Sequence, residues 1–191
     1  MFRDVNIRRG VIAVAISTAA IVAALAGSTS AMRVTDPQAH ATAQCHGAGA
    51  RAAHASGRML RGALLCLVNR ERAARGLRPL RRDRRLRRAA TGHARDMARR
   101  RYFAHQRAGG PDLGTRLRRA GWRGRAAGET IAYGCGSAGT PRTAVRMWIA
   151  SPSHAAILFD GSYRRGGPGV AKRPPVRCGG GATWVLDVGR R

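Results

Sequence analysis

The stretch Thr183-Trp184-Val185-Leu186-Asp187-Val188, close to the C-terminus, has the apolar and β-branched composition of a β-strand. Two weaker strand candidates precede it, at residues 128–133 and 169–171. The part of the chain before these candidates carries mainly helical patterns. Because helices come first and strands come late, we expect an α+β domain with an antiparallel sheet rather than a parallel, doubly wound one.

Apolar residues at helical spacing over residues 60–68 predict a first helix that stops at Gly76. Asp83 is a candidate N-cap for a second, amphipathic and basic helix. The apolar face of that helix consists of Leu86, Ala90, His93, Ala94 and Met97. Similar start signals predict shorter helices after Asp112, Thr140 and Ser151. The last of these places His154 in the first turn of a helix.

The first 31 residues have the three-part plan of a secretory signal peptide. Three arginines precede an apolar run at residues 11–27, and small residues suited to cleavage end at Ala31. We therefore expect a secreted, extracellular protein. An uncleaved membrane anchor is the alternative, because the apolar run is long enough to span a bilayer. Residues 32–57 are predicted to be a flexible linker, and residues 58–191 a single domain.

Four cysteines, an even number in an exported chain, predict two disulfides. Of the three possible connectivities we favour Cys45–Cys66 and Cys135–Cys178. The first bond would attach the N-terminal segment to the first helix, and the second would join the loop after residues 128–133 to the loop before the last strand. A zinc site is the weaker interpretation, because no two cysteines have C-x-x-C spacing.

The charge of the chain is extreme. After removal of residues 1–31, 33 basic and eight acidic residues remain, a net charge of +25. Such a surface would adhere to an anionic envelope component, either a wall polymer or an acidic lipid. The alternative is a biased composition and a solvated surface, since Lys172 is the one lysine among 36 basic residues. Specific nucleic-acid binding is disfavoured, because aromatic residues amount to 5% and do not alternate with the basic runs.

Two histidines and one glutamate stand in polar or turn-prone settings within a span of about fifty residues. They are His105 after Tyr-Phe-Ala, Glu129 after Gly128, and His154 after Ser-Pro-Ser. Once folded together, such a set could bind a divalent metal such as zinc, or a ligand that carries a carboxylate. The alternative is a structural ion-paired cluster that holds two histidine segments together. We interpret His93 as a core residue or a support for these three.

These motifs, in this order, resemble the CAP superfamily, also called the SCP domain family. It comprises cysteine-rich secretory proteins, antigen 5, plant pathogenesis-related proteins and exported bacterial relatives. The resemblance rests on residues 67–72, 93–98, 102–105, 128–134, 147–154 and 184–189. It implies an α-β-α sandwich, in which helices flank a central antiparallel sheet. It also implies a surface cleft lined by two histidines and two glutamates.

Carried over by resemblance, His105, Glu129 and His154 fill three of the four cleft positions. The second glutamate would fall near Ser151 and is absent, as in many bacterial members. Thr130 stands where the family usually has asparagine. Gly166, Gly167 and Pro168 interrupt a strand that in the family alternates glycine with β-branched residues, so we expect that strand to be short, bulged or at an edge, and the sheet to be looser there.

We expect an exported, non-catalytic binding module at the cell envelope, whose cleft, or the groove beside it, holds a small apolar or anionic ligand. His105 and His154 would be the ligands of any zinc or other divalent ion. The alternative is a metal-dependent, peptidase-like hydrolase in which Glu129 is a ligand or the general base. A third hypothesis is an envelope-active toxin or defence protein that works through its charge.

Overall fold

The computed structural model describes residues 44–191 of the chain. The helices of this part are α1 (Gly57–Ala73), α2 (Arg84–Arg100), α3 (Leu113–Arg119), α4 (Pro141–Ala150) and α5 (Pro152–Phe159). The strands are β1 (Arg81–Arg82), β2 (Ala126–Cys135), β3 (Arg165–Ala171) and β4 (Gly181–Arg190). The predicted α+β class is confirmed.

Capping side chains set most helix starts where the sequence predicts them. Asp83 accepts hydrogen bonds from two backbone N–H groups in the first turn of α2. Asp112 and Thr140 each accept one, at the starts of α3 and α4. Ser151 precedes α5 without a capping bond, and its hydroxyl lies 3.3 Å from that of Ser153. Three of these starts therefore have a local cause in the side chain that satisfies free N–H groups.

The strands form one sheet in the order β1-β3-β4-β2. The three long strands are antiparallel, as predicted, and β2 pairs with β4 along its full length of ten residues. The two-residue strand β1 runs parallel to β3, which makes the sheet mixed. A strand of two exposed arginines has no apolar alternation, so the sequence offers no signal for β1.

Helices cover both faces of this sheet. On one face, α1, α4 and α5 pack against alternate residues of β4. The largest buried side chains in this cluster are Leu60, Leu64, Trp148, Leu158, Trp184 and Leu186. On the other face, α2 packs against Ile131 and Val185. Leu117 of α3 and Trp122 extend that layer. The α-β-α sandwich implied by the resemblance is confirmed.

The predicted looseness of the sheet at residues 166–168 is wrong. The β3–β4 register is continuous from Arg165 to Ala171, without a bulge. Its glycines are sites of close helix packing, because a Cβ on Gly167 or Gly169 would overlap the backbone of α2. On the side of β3 away from β4, β1 pairs only with residues 165 and 166. Pro168 therefore has no neighbouring strand on that side and needs no hydrogen bond to one.

Residues 45–55 pack against the core, so the described half of the predicted linker is part of the domain. Cys45, Ala48, Ala52 and Ala55 are buried in the cluster beneath α1. Alanine side chains are short and produce no strong hydrophobic pattern when they are buried. For this reason the predicted start of the domain, at residue 58, is too late. Residues 32–43 and the predicted signal peptide at residues 1–31 lie outside the described part of the chain.

Both favoured disulfides are present, Cys45–Cys66 and Cys135–Cys178. The first joins the N-terminal segment to α1, and the second joins the end of β2 to the loop before β4. Between residues 44 and 191, no helix is both long enough and apolar enough to cross a membrane.

We predict that Gly169→Ala destabilises the protein by about 1 to 3 kcal/mol, because the new Cβ meets the backbone of Ala90 and Thr91 in α2. Gly92→Ala is the matched control, since Gly92 lies inside α2 with open space at its Cβ position. That substitution should stabilise the helix by about 0.5 to 1 kcal/mol. Chemical unfolding curves measure both effects, and equal effects would contradict the packing account.

Candidate functional site

Glu129 lies in the middle of β2, on the sheet face that α2 covers, and it is 3% exposed. Ile131, two residues further along β2, packs against α2 on the same face. A carboxylate at such a position cannot be solvated by bulk water, so it requires partners within the protein.

Both carboxylate oxygens of Glu129 have close partners. Nδ1 of His105 lies 2.9 Å from Oε1, and Arg116 donates to Oε2 at 2.6 Å. Burial alone would raise the pKa of Glu129. The hydrogen bond from His105 and the positive charge of Arg116 outweigh burial and lower that pKa below its usual value. Glu129 is therefore ionised at neutral pH.

Arg116 comes from α3, and its side chain is only 10% exposed. Its guanidinium also donates to the backbone carbonyls of His105, at 2.8 Å, and Pro111, at 3.1 Å. One side chain of α3 thus connects Glu129 to two points of the loop that carries His105. Sequence reasoning missed Arg116, because it is one of many arginines on a basic helix.

His93 lies behind Glu129 and is 3% exposed, in the supporting position that the sequence suggested. Its Nε2 is 3.1 Å from the carbonyl oxygen of Ala104 and 3.9 Å from Oε1 of Glu129. Burial, followed by the charge of Arg116, lowers the pKa of His93 although Glu129 opposes the shift. His93 is therefore a neutral support beneath the residues that precede His105.

The structure brings His105 and His154 together on the open side of Glu129. Their ring centroids are 5.7 Å apart, with 49° between the ring planes. The side chain of His105 is 52% exposed, whereas His154, in the first turn of α5, is half-buried. Burial and then the charge of His105 lower the pKa of His154, against the influence of Glu129. The ring of His105 is thus open to solvent, and the ring of His154 lies beside it.

Asp187 is a second buried carboxyl that sequence reasoning did not assign to the site. It is the β-ladder partner of Glu129 and is 0% exposed. Neither of its oxygens has a hydrogen-bond partner among residues 44–191. Burial, and then the negative charge of Glu129, raise the pKa of Asp187 well above its usual value. Of these two facing carboxyls, Glu129 carries the charge and Asp187 carries the proton.

The arrangement fits two histidine ligands better than a three-ligand metal centre. In the described part of the chain, no group of three or more His, Cys, Asp or Glu side chains is placed to share an ion. Arg116 occupies one oxygen of Glu129, and the other contacts His105. A carboxylate that is hydrogen-bonded to a metal-binding imidazole orients this imidazole without touching the metal. Metal binding by His105 and His154 stays a prediction.

We predict that Asp187→Asn becomes progressively more stabilising, relative to the native chain, as the pH rises above about 4, the ordinary pKa of an aspartate. Between that pH and its own raised pKa, folded Asp187 keeps a proton that the unfolded chain loses, so the stability of the native chain falls with rising pH relative to the variant. Asparagine does not titrate. Denaturant unfolding at several pH values measures the difference, and a pH-independent difference would show that Asp187 ionises normally.

The comparisons with known proteins support the family that the sequence resembles. A model of the cysteine-rich secretory protein family, CAP, matches residues 65–188. No curated protein sequence matched the chain.

Three solved structures share the fold. An extracellular SCP-domain protein of Bacillus anthracis superposes with a TM-score of 0.59 at 24% identity, over 72% of this chain and 44% of its own. An outer surface protein of Borrelia burgdorferi superposes with a TM-score of 0.58 at 21% identity, over 67% of this chain and 90% of its own. A cysteine-rich secretory protein of Staphylococcus aureus superposes with a TM-score of 0.55 at 16% identity, over 72% of this chain and 41% of its own.

The chain spans less than half of the Bacillus and Staphylococcus chains, so these similarities establish the fold and not an activity. The family match covers about two thirds of the chain and includes His93, His105, Glu129 and His154. This chain belongs to the cysteine-rich secretory protein (CAP) family.

Proposed function

We propose that this protein is a non-catalytic binding module, which acts at or beyond the cell envelope and binds its ligand at the cleft of His105 and His154. The observation that carries the proposal is the state of Glu129. Both of its oxygens are held, by His105 at 2.9 Å and by Arg116 at 2.6 Å. The acidic residue thus fixes the cleft, and the exposed imidazoles face the ligand.

The same observation argues against hydrolysis. A general base works best when its pKa lies near the operating pH. The pKa of Glu129 is lowered, because His105 and Arg116 together outweigh its burial. A carboxylate of this kind is a weak base, and its 2.6 Å ion pair with Arg116 competes with any proton transfer. Glu129 is therefore better suited to positioning His105 than to activating water.

Action outside the cytoplasm is supported by independent features. The two disulfides suit an oxidising compartment. The Bacillus relative is described as extracellular and the Borrelia relative as an outer surface protein. The predicted signal peptide also supports export. After its removal the net charge is +25, and a positive surface adheres to anionic wall polymers or acidic lipids.

His105 and His154 are proposed to hold a zinc ion or another divalent cation weakly, since two protein ligands are fewer than the three of catalytic zinc sites. Glu129 would orient His105 in that complex. The bound ion would offer its open positions to an anionic group of the ligand. A small apolar or anionic ligand is consistent with this cleft.

The test combines zinc titration calorimetry with a screen of peptide and ester substrates. We expect zinc to bind the native protein in a one-to-one ratio and His105→Ala/His154→Ala to lose that binding. His46→Ala/His54→Ala is the matched control, because it removes two exposed histidines elsewhere and should bind normally. No variant should hydrolyse any substrate.

Two results would count against this function. Turnover that is abolished by a chelator and by Glu129→Gln would replace the binding module with a metal-dependent hydrolase. Equal zinc binding by the native protein and His105→Ala/His154→Ala would remove the metal from the cleft.

A further inference from the structure

Five arginines surround a second cleft, which lies between α1, β1 and the first turn of α2. They are Arg58, Arg61, Arg82, Arg84 and Arg87. The cleft encloses about 370 Å³, and Gly62 and Pro168 also line it. A volume of this size falls at the small end of the range for small-molecule sites.

The positive charge of this arginine cleft is not neutralised by the described part of the protein. The one carboxylate in its wall is Asp83. One oxygen of Asp83 caps α2, and the other accepts a hydrogen bond from Arg191 at 3.2 Å. None of the five arginines forms an ion pair with a carboxylate within residues 44–191.

Arg61 shows the effect of this crowding. Its side chain is partly buried on α1, next to the cleft. Burial lowers the pKa of Arg61, and the charges of Arg87, Arg95 and Arg58 lower it further. Like charges held together without counter-charges destabilise the folded state. An anion in the cleft would relieve this repulsion.

We propose that the arginine cleft binds the phosphate group of a phosphate monoester. Guanidinium groups form paired hydrogen bonds with phosphate oxygens. A phosphate monoester carries roughly two negative charges and three strong acceptor oxygens. It therefore matches several convergent guanidinium groups better than a carboxylate, which brings a single charge.

The source of the phosphate is either a soluble compound or the headgroup of a lipid, since both present the same group. The inference goes beyond the function proposed above and does not use His105 or His154. Phosphate binding here would place part of the positive surface charge in a defined site.

The experiment compares two variants that lose the same charge. Arg61→Gln/Arg87→Gln removes two groups from the cleft, and Arg142→Gln/Arg146→Gln removes two exposed arginines from α4. Isothermal titration calorimetry of the full-length protein, purified with its disulfides formed, uses inorganic phosphate and glycerol 3-phosphate at low salt. Vesicles of phosphatidylcholine with and without phosphatidic acid test the lipid source.

We expect one site per molecule for a phosphate probe, weakened about tenfold or more in Arg61→Gln/Arg87→Gln and nearly unchanged in the α4 variant. Binding of phosphatidic acid vesicles alone, with the same dependence on the cleft variant, would identify a lipid headgroup. Equal weakening in both variants would show that distributed charge is responsible and would overturn the site, as would the absence of binding to every probe.

Thermal melting separates lost binding from lost folding. Arg87 is exposed, and the partly buried Arg61 has no ion-pair partner among residues 44–191, so the cleft variant should melt cooperatively without phosphate. Phosphate should raise the melting temperature of the native protein and of the α4 variant, but not that of the cleft variant. An equal rise in all three proteins would also overturn the proposal, whatever the function of the histidine cleft.

Discussion

The buried negative charge of Glu129 is the constraint on which the cleft depends. A carboxylate in the interior is costly unless opposite charges and hydrogen-bond donors surround it. Arg116 from α3 and His105 from the preceding loop meet this requirement, and His93 from α2 supports them. Because Arg116 also bonds two carbonyls of that loop, one ion pair fixes the position of His105 opposite His154. The position of His105 is thus set by contacts within the protein.

Much of the fold follows from local signals in the sequence. Asp83, Asp112 and Thr140 cap helices by bonding their own first turns, and Trp184 and its neighbours in β4 alternate between two helical layers. Features that depend on distant neighbours were not predictable. In the sequence, Gly167 is part of an interruption of the strand, yet it lies where the backbone of α2 approaches the sheet. Its meaning depends on what packs above it.

The site shows the same division. His105, Glu129 and His154 stand in short motifs that a reader of the sequence can find. Arg116 does not stand in such a motif. The chain has 35 arginines among 191 residues, and nothing in the local sequence distinguishes a buried arginine from a solvated arginine. Asp187 was visible as an acidic residue within an apolar strand. Its role depends on the register that places it opposite Glu129, and a shift of one residue would place it on the other face.

The most direct measurement is a double-mutant cycle on the ion pair, with Glu129→Gln, Arg116→Gln and the double variant compared by denaturant unfolding. Removing either partner leaves a buried charge unpaired, so each single variant should lose on the order of 3 kcal/mol. The double variant should lose clearly less than their sum, with a coupling energy of about 1 kcal/mol or more. Losses that add within about 0.5 kcal/mol would contradict the claim that this pair organises the cleft.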